Sequence, residues 1–324
     1  MLRVVVAGGT GFIGRGLVRR LSTRGHEVVV LARDTNAARR LLSNAGPNVR
    51  VAGWSLERGT VRDDWEREVR ASTAVVNLAG AGIMDAPWTE SRKRELYASR
   101  VDVTRALAET LAQRSASSAS SDAPPVFMSG SAVGIYGMRM DDAWLTEDSP
   151  PGADLLADVC LEWERAANPA REAGARVVHP RLGIVLGRDG GALTEIVRPF
   201  KLHAGGPIGS GDQWVSWIHE EDVIGAMELA LESATFVGPY NFVAPEPVTM
   251  KGEAHAIADV LHTHARARVP AFVIKTILGA ERAEAVLTGQ RASASRLTAA
   301  GYAFAFSEIR PALDDLLAPP RDGR

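Results

Sequence analysis

Seven residues near the amino terminus, Gly8-Gly9-Thr10-Gly11-Phe12-Ile13-Gly14, carry the most specific chemistry in this 324-residue sequence. The spacing Gly-x-x-Gly-x-x-Gly falls between an apolar run, Leu2 to Ala7, and a stretch in which Ile13, Leu17 and Leu21 recur every fourth residue. A strand entering a helix through such a turn brings unpaired N–H groups and the positive end of the helix dipole to one point, with no Cβ to hold an anion away. That is the chemistry of a diphosphate, and a strand before it with a helix after it is the context of a dinucleotide. Gly8, Thr10, Gly11, Phe12, Ile13 and Gly14 are therefore candidate cofactor-binding residues. The second apolar run, Glu27 to Ala32, ends at Ala32-Arg33. An acidic residue at this tip accepts from the ribose 2′-hydroxyl of NAD, whereas a basic one fits the 2′-phosphate of NADP. Arg33 thus favours NADP (NADPH) over NAD. In the competing assignment Arg33 is a solvated strand end and Asp34 does the reading.

The elements that must position these residues alternate strand and helix. Strands are expected at Leu2–Ala7, Glu27–Ala32, Val49–Ala52, Val75–Ala79, Val126–Met128 and Arg176–His179, with helices after Gly11, at Asn36–Ser43, at Thr89–Arg114 and at Leu155–Ala167. Alternation of this kind makes parallel strands joined by right-handed crossovers. The fold class is α/β: a doubly wound parallel Rossmann sheet with a smaller C-terminal domain capping the substrate. The division falls near residue 180, giving 1–180 and 181–324, and the chain can cross between them more than once. Helices are expected near Val223–Leu231, Lys251–His264 and Ile309–Leu317. Ser115 to Pro125, rich in serine and alanine, reads as a surface loop. Asp222 is placed to cap a helix and His219 to tie the two domains, while Asp85, Trp88, Trp144, Trp214 and Trp217 are candidates to line a substrate pocket. The glycines at 187–191 and 205–211 are expected where the second domain folds over the substrate.

Composition narrows the partners. Lys and Arg number 37 against 39 Asp and Glu, so the chain has no pull towards polyanions, and Arg266 with Arg268 is too small a basic cluster for nucleic acid. No run approaches the ~18 apolar residues of a membrane span. The single cysteine, Cys160, fits a reducing compartment, and a cytoplasmic location is expected. His255, His262 and His264 lack a carboxylate or thiol to complete a metal set.

The glycine turn, Asn77-Leu78-Ala79-Gly80, Ser99-Arg100-Val101, Trp163-Glu164, Arg181 to Gly187, Gly205 to Gly211, Trp217-Ile218-His219 and Gly289-Gln290-Arg291 together resemble the extended short-chain dehydrogenase/reductase superfamily. Within it they resemble the NAD(P)-dependent epimerase/dehydratase-like branch known as "epimerase family protein". The resemblance agrees with NADP and implies cofactor contacts from Leu78, Ala79, Glu95, Arg100 and Val185, with Gly80 ending the strand that bears the crevice. It implies a small-molecule substrate and, by analogy, a homodimer. It also implies a Tyr-x-x-x-Lys pair, with a strand-end hydroxyl holding the substrate oxygen. Ser131 matches that hydroxyl. Where the pair belongs, the sequence reads Leu156-Ala157-Asp158-Val159-Cys160, with leucine for tyrosine and cysteine for lysine.

The expected function is an NADP-binding oxidoreductase or epimerase-like enzyme. It would move a hydride to or from a small carbonyl, alkene or sugar-type substrate, with Ser131 and Tyr136 as catalytic candidates. The alternative is a non-catalytic NADP(H)-binding sensor. Exchanging Arg33 for Ala is expected to raise the dissociation constant for NADPH far more than that for NADH. Equal changes in a fluorescence titration would contradict the NADP assignment.

Overall fold

Runs of valine with no polar interruption make strands buried on both faces, as parallel sheets require. Val4-Val5-Val6, Val28-Val29-Val30 and Ala74-Val75-Val76 are wholly buried and lie in β1 (Arg3–Ala7), β2 (Glu27–Ala32) and β4 (Ala74–Asn77); β3 (Val49–Gly53) lies outside β2. The structure is a computed structural model and describes residues 1–56, 63–114 and 123–318. β5 (Val126–Ser129), β8 (Arg176–Leu182) and β13 (Gly238–Phe242) extend the sheet on the other side of β4. The order is β13-β8-β5-β4-β1-β2-β3, with every pair parallel, and β6 (Ser131–Ala132) adds to β8.

Successive side chains of each strand pack on opposite faces. Val4 and Val6 meet α1 (Phe12–Thr23) and α8 (Glu220–Glu232) through Leu17, Leu21, Val223 and Met227. Val5 and Ala7 meet α3 (Asp63–Arg70), α4 (Glu90–Ala112) and α6 (Asn168–Glu172). Two further helices complete this half, α2 (Thr35–Leu41) and α5 (Leu155–Arg165).

A third apolar cluster forms the C-terminal layer. It gathers β9 (Ile184–Gly187), α7 (Leu193–Lys201), β11 (Trp214–Val215), β12 (Trp217–His219), α9 (Met250–Val260) and α13 (Ile309–Leu317). Three short strands, β7 (Trp144–Leu145), β10 (Gly190–Gly191) and β14 (Val248–Thr249), pair locally, and β15 (Arg291–Ala292) pairs with β7. α10 (Ala271–Leu278), α11 (Ala280–Leu287) and α12 (Ser295–Ala299) complete the chain.

The structure departs from the sequence expectations in identifiable places. Residues 115–122, most of the serine-rich stretch, lie outside the described residues. The helix expected over Leu155–Ala167 ends at Arg165, and Pro169 lies in the first turn of a separate helix, α6, where its missing N–H is harmless. The glycines at 187–191 pack against Phe12. A Cβ on Gly187 would come within 2.0 Å of the Phe12 ring and one on Gly190 within 2.6 Å, so the β9–β10 hairpin is bare to receive Phe12. Those at 205–211 likewise serve packing: a Cβ on Gly206 would meet the Ala267 carbonyl oxygen at 2.3 Å, and one on Gly205 the Phe200 ring at 2.3 Å. Asp222 does not cap α8, because the imidazole of His219 accepts from the Glu221 N–H and takes that place. Fully buried, Asp222 instead accepts from the Tyr302 hydroxyl at 3.0 Å and the N–H groups of Ala305 and Phe306 at 2.8 and 3.0 Å.

Those three bonds fasten the segment before α13 to the sheet-packing helix α8. Asp222→Ala leaves three part-buried donors without their acceptor and is expected to lower the unfolding free energy by about 2 kcal/mol in a urea titration. Its neighbour Glu221, half-exposed and paired with Arg20, serves as the control, and Glu221→Ala should stay within about 1 kcal/mol. Equal effects would contradict the role given to Asp222.

Candidate cofactor and active site

The sheet reverses its winding at β1, between β2 on one side and β4 on the other, and a doubly wound sheet opens its ligand crevice at such a point. Two turns meet there. A Cβ on Gly8 would stand 2.5 Å from the carbonyl carbon of Leu78 and 2.7 Å from the amide nitrogen of Ala79, and one on Gly14 would stand 2.2 Å from the Gly8 carbonyl oxygen. The glycines thus bring the turn after β1, the start of α1 and the segment after β4 into contact. No side chain caps α1 and no acidic residue lies in its first turn, whereas Asp34, Thr89, Asp154, His219 and Thr249 cap α2, α4, α5, α8 and α9. The N–H groups of a first helical turn have no intrahelical acceptor. Gly11 is exposed and Thr10, Phe12 and Ile13 are half-buried around that opening. These residues fit a dinucleotide diphosphate.

On the β2 side, Ala32 is buried at the strand end and Arg33 is exposed. Arg33 lines a groove of about 520 Å³ with Thr35, Arg39, Gly53, Trp54 and Ser55. Asp34 turns its Oδ1 onto the N–H groups of Asn36 and Ala37 at 3.0 and 2.9 Å, where it caps α2. Arg33 and Arg39 line the groove together with Arg50, Arg67 and Glu68, and Arg39 was not singled out from sequence.

On the β4 side, the segment following the strand is held by its carbonyls. Arg100 donates to Ala81 at 2.9 Å, Arg92 donates to Gly82, the Trp88 indole to Ile83 at 2.8 Å and Arg282 to Met84 at 3.2 Å. Arg100 is buried, packs its guanidinium 5.4 Å from the Trp163 ring and would be 3.2 Å from a Cβ on Gly80. Glu95 is exposed and pairs with Arg92 at 2.6 Å. Val185 lies on β9, in register with Ile218, two residues before the hairpin that covers Phe12.

Ser131 and Tyr136 meet in one buried network. The Ser131 hydroxyl donates to Glu164 Oε1 at 2.7 Å. Arg181 grips the same carboxylate with Nε at 2.8 Å and Nη2 at 3.0 Å. Its Nη1 donates to the Tyr136 hydroxyl and to the Glu147 carbonyl, both at 3.0 Å. The Tyr136 hydroxyl in turn donates to Asn241 Oδ1 at 2.6 Å, and Asn241 Nδ2 donates to the carbonyls of Leu145 and Ser293. Burial alone would raise Glu164, but the hydrogen bonds from Arg181 and Ser131 hold its carboxyl below the ordinary range. Burial pushes the Tyr136 phenol up despite Arg181 beside it.

The remaining titratable neighbours are neutral by burial. The Cys160 thiol, at the lysine position of the superfamily pattern, is pushed up to about 12, and His179 is pushed down to about 4. Leu156 is half-buried in the first turn of α5, and Asp158 is exposed. His219 ties α8 to the C-terminal layer: it stacks on Phe306 with centroids 3.9 Å apart and stands 3.5 Å from Asp315. Of the pocket candidates, Trp217 is wholly buried and Trp88 is nearly so, with both indoles bonded to backbone carbonyls. Trp144 and Trp214 instead sandwich Arg291 at 4.2 and 4.1 Å, with Trp144 half-exposed, and Asp85 is exposed beside Arg92. Glu164, Arg181 and Asn241 were not singled out from sequence as site residues, although Trp163-Glu164 and Arg181 stood among the motifs.

The family profile described as the NAD dependent epimerase/dehydratase family matches residues 4–243, and a domain of unknown function, DUF1731, matches residues 269–316. The epimerase family protein SDR39U1 homolog, chloroplastic, of Arabidopsis thaliana is 37% identical over 313 residues, 96% of this chain and 86% of that protein. The epimerase family protein YfhF of Bacillus subtilis is 32% identical over 317 residues, 98% of each. Among solved structures, the human epimerase family protein SDR39U1 (isoform 2) with NADPH superposes with a TM-score of 0.79 at 33% identity, covering 97% of this chain and 98% of that one. A UDP-glucuronic acid 4-epimerase from Bacillus cereus, only 15% identical but with a TM-score of 0.75, shares the fold. With its glycine turn after β1 and its doubly wound sheet, the chain belongs to the NAD dependent epimerase/dehydratase family.

Proposed function

We propose that the chain is an NADPH-dependent oxidoreductase or epimerase-like enzyme acting on a small carbonyl, alkene or sugar-type substrate without a Tyr-x-x-x-Lys pair. The observation that carries this reading is the crevice itself: an α1 with no side-chain cap and a groove lined by Arg33, Arg39, Arg50 and Arg67 with Glu68 on one side, and on the other a hydroxyl, Ser131, on β6 just beyond β5. When bound, the reduced nicotinamide would supply the hydride, and solvent water the proton that completes the reduction. The chain's own residues bind and orient. Gly8 to Gly14 hold the diphosphate, Arg33 and Arg39 hold the 2′-phosphate, and Leu78, Ala79, Gly80 and Val185 line the crevice.

Ser131 gives its single proton to Glu164, which leaves its oxygen lone pairs free to accept from a substrate hydroxyl. Tyr136 is a positioning residue in this reading. Its hydroxyl already accepts from Arg181 and donates to Asn241, so it locks β13 to the turn after β6 and has no proton to offer. Glu164, held ionised by Arg181, orients Ser131.

The test is a screen of the NADPH-loaded protein against carbonyl, enone and nucleotide-sugar libraries, read by loss of the reduced nicotinamide absorbance. A hit should lose at least about tenfold in kcat/KM with Ser131→Ala. Tyr136→Phe should keep kcat within about threefold and leave the pH profile unmoved, while lowering stability by about 1–2 kcal/mol through its lost hydrogen bonds. A pH profile that loses its acidic or basic limb in Tyr136→Phe would return the proton transfer to that residue. Tight NADPH binding with no turnover on any library would favour the sensor reading, which the committed hydroxyls and the inert thiol at position 160 also support.

A further inference from the structure

Four consecutive carbonyls in the segment after β4 are taken by side chains. Arg100 donates to Ala81 at 2.9 Å, Arg92 to Gly82, the Trp88 indole to Ile83 at 2.8 Å and Arg282 to Met84 at 3.2 Å. The first three donors belong to α4 or to the residue just before its cap, Thr89. In a trans peptide the N–H points opposite to the C=O. The N–H groups of Gly82, Ile83 and Met84 therefore turn away from α4, and none has an acceptor among the described residues. Consecutive N–H groups turned to one side make a backbone nest, a concavity that binds anions. β4 and β5 are neighbours, with Asn77 in register with Ser129, so this nest and Ser131 follow adjacent strand ends of the crevice.

The charges around the nest are sorted by depth. Arg282, on α11, is 8% exposed, and its Nε donates to the Leu278 carbonyl at 2.9 Å within the preceding turn. Among the described residues its Nη2 has no hydrogen-bond partner and its guanidinium no ion pair. The carboxylates nearby stay in water: Glu95 pairs with Arg92, Glu281 pairs with Lys93, and both are exposed. Asp85, exposed and 3.9 Å from Arg92, rests against the nest, since a Cβ on Gly82 would lie 2.2 Å from its Oδ2. It accepts no hydrogen bond among the described residues. Backbone carbonyls satisfy the N–H groups of a guanidinium without neutralising it, and a buried cation of this kind is compensated by an anion that enters beside it. Arg100 is left to the cofactor, as the family resemblance implies. We infer that the nest of Gly82, Ile83 and Met84, with Arg282 as its cation, binds a carboxylate or phosphate group of the substrate in place of Asp85. The inference rests on the reading of the crevice as a substrate site and adds the class: the small carbonyl, alkene or sugar-type substrate is an anion. Arg282 lies within the domain of unknown function at residues 269–316, which gains a part in substrate selection.

The experiment uses the full chain loaded with NADPH at fixed ionic strength, with binding read by calorimetry. Inorganic phosphate and acetate are titrated first. Two pairs of alcohols follow, glycerol with glycerol 3-phosphate and propan-2-ol with lactate, which differ by one anionic group and which the reduced cofactor cannot turn over. The charged member of at least one pair should bind the wild type at least about tenfold more tightly than the neutral one, the worth of hydrogen bonds to a charged group. Preference for phosphate and glycerol 3-phosphate assigns a phosphoryl group, and preference for acetate and lactate a carboxylate. Arg282→Met should bring the ratio within about threefold of unity and Arg282→Lys should keep most of it. Asp85→Asn, at an exposed position, should tighten the charged member about threefold by removing the competing carboxylate. The dissociation constant for NADPH should stay the same in all three variants. Equal affinity of the wild type for charged and neutral members, or no binding of phosphate and acetate, overturns the inference whether or not the variants fold. Loss of NADPH affinity in step with anion affinity in Arg282→Met overturns it too, by making Arg282 a cofactor contact. Anion binding as expected, with no hydride loss on any substrate library, would support the anion site and contradict the enzyme reading instead.

Discussion

The buried pairing of Arg181 with Glu164 is the interaction on which the substrate side of the molecule depends. Two charges removed from water cost several kcal/mol each, and their attraction repays this only with good geometry and every remaining polar atom satisfied. Both conditions hold. The guanidinium meets the carboxylate through two parallel bonds, and its remaining donor divides between the Tyr136 hydroxyl and the Glu147 carbonyl. From that centre, bonds reach Ser131 on β6 and Tyr136 in the following turn. Through Asn241 they reach β13 and the segments at Leu145 and Ser293. Parts of the chain far apart in sequence are thereby set around one guanidinium.

This arrangement explains how a crevice of this fold persists without the tyrosine and lysine that its superfamily pattern implies. Leu156 and Cys160 leave α5 with nothing to offer a substrate, and the tyrosine that remains nearby is held in the network. In the proposed reading the cofactor-holding and substrate-holding parts are separable as a result. The former is built from glycine contacts and helix geometry around β1 and β4, the latter from the ion pair between α5 and β8. Phe12 joins them: it belongs to the diphosphate turn, yet its ring is received by the bare β9–β10 hairpin, on the same strand as Val185.

Much of the first half was legible in the sequence because each strand is a run of apolar residues ended by a turn residue and the longer helices carry their own stripe and stop, whereas the short α3 and α6 were not expected. The glycine turn between β1 and α1 was legible for the same reason, since its backbone demands are local. What escaped depends on distant partners. Gly238-Pro239-Tyr240-Asn241-Phe242, to which no element was assigned from sequence, is a strand at the edge of the sheet because β8 offers it a parallel edge. The helix α7 carries an internal proline, and α10 has no clear polar face. The roles of Tyr136 and Asp222 turn on bonds to Asn241 and to the 302–306 segment, 105 and 80 or more residues away. No spacing rule carries such information.

The most direct measurement of the account is a crystal structure of the chain grown with NADPH. It should place the diphosphate on the first turn of α1, the 2′-phosphate between Arg33 and Arg39, and the nicotinamide C4 towards Ser131, with Tyr136 still bonded to Asn241 and Arg181. A 2′-phosphate lying away from both arginines, or a Tyr136 hydroxyl released from Asn241 and turned towards the nicotinamide, would contradict it.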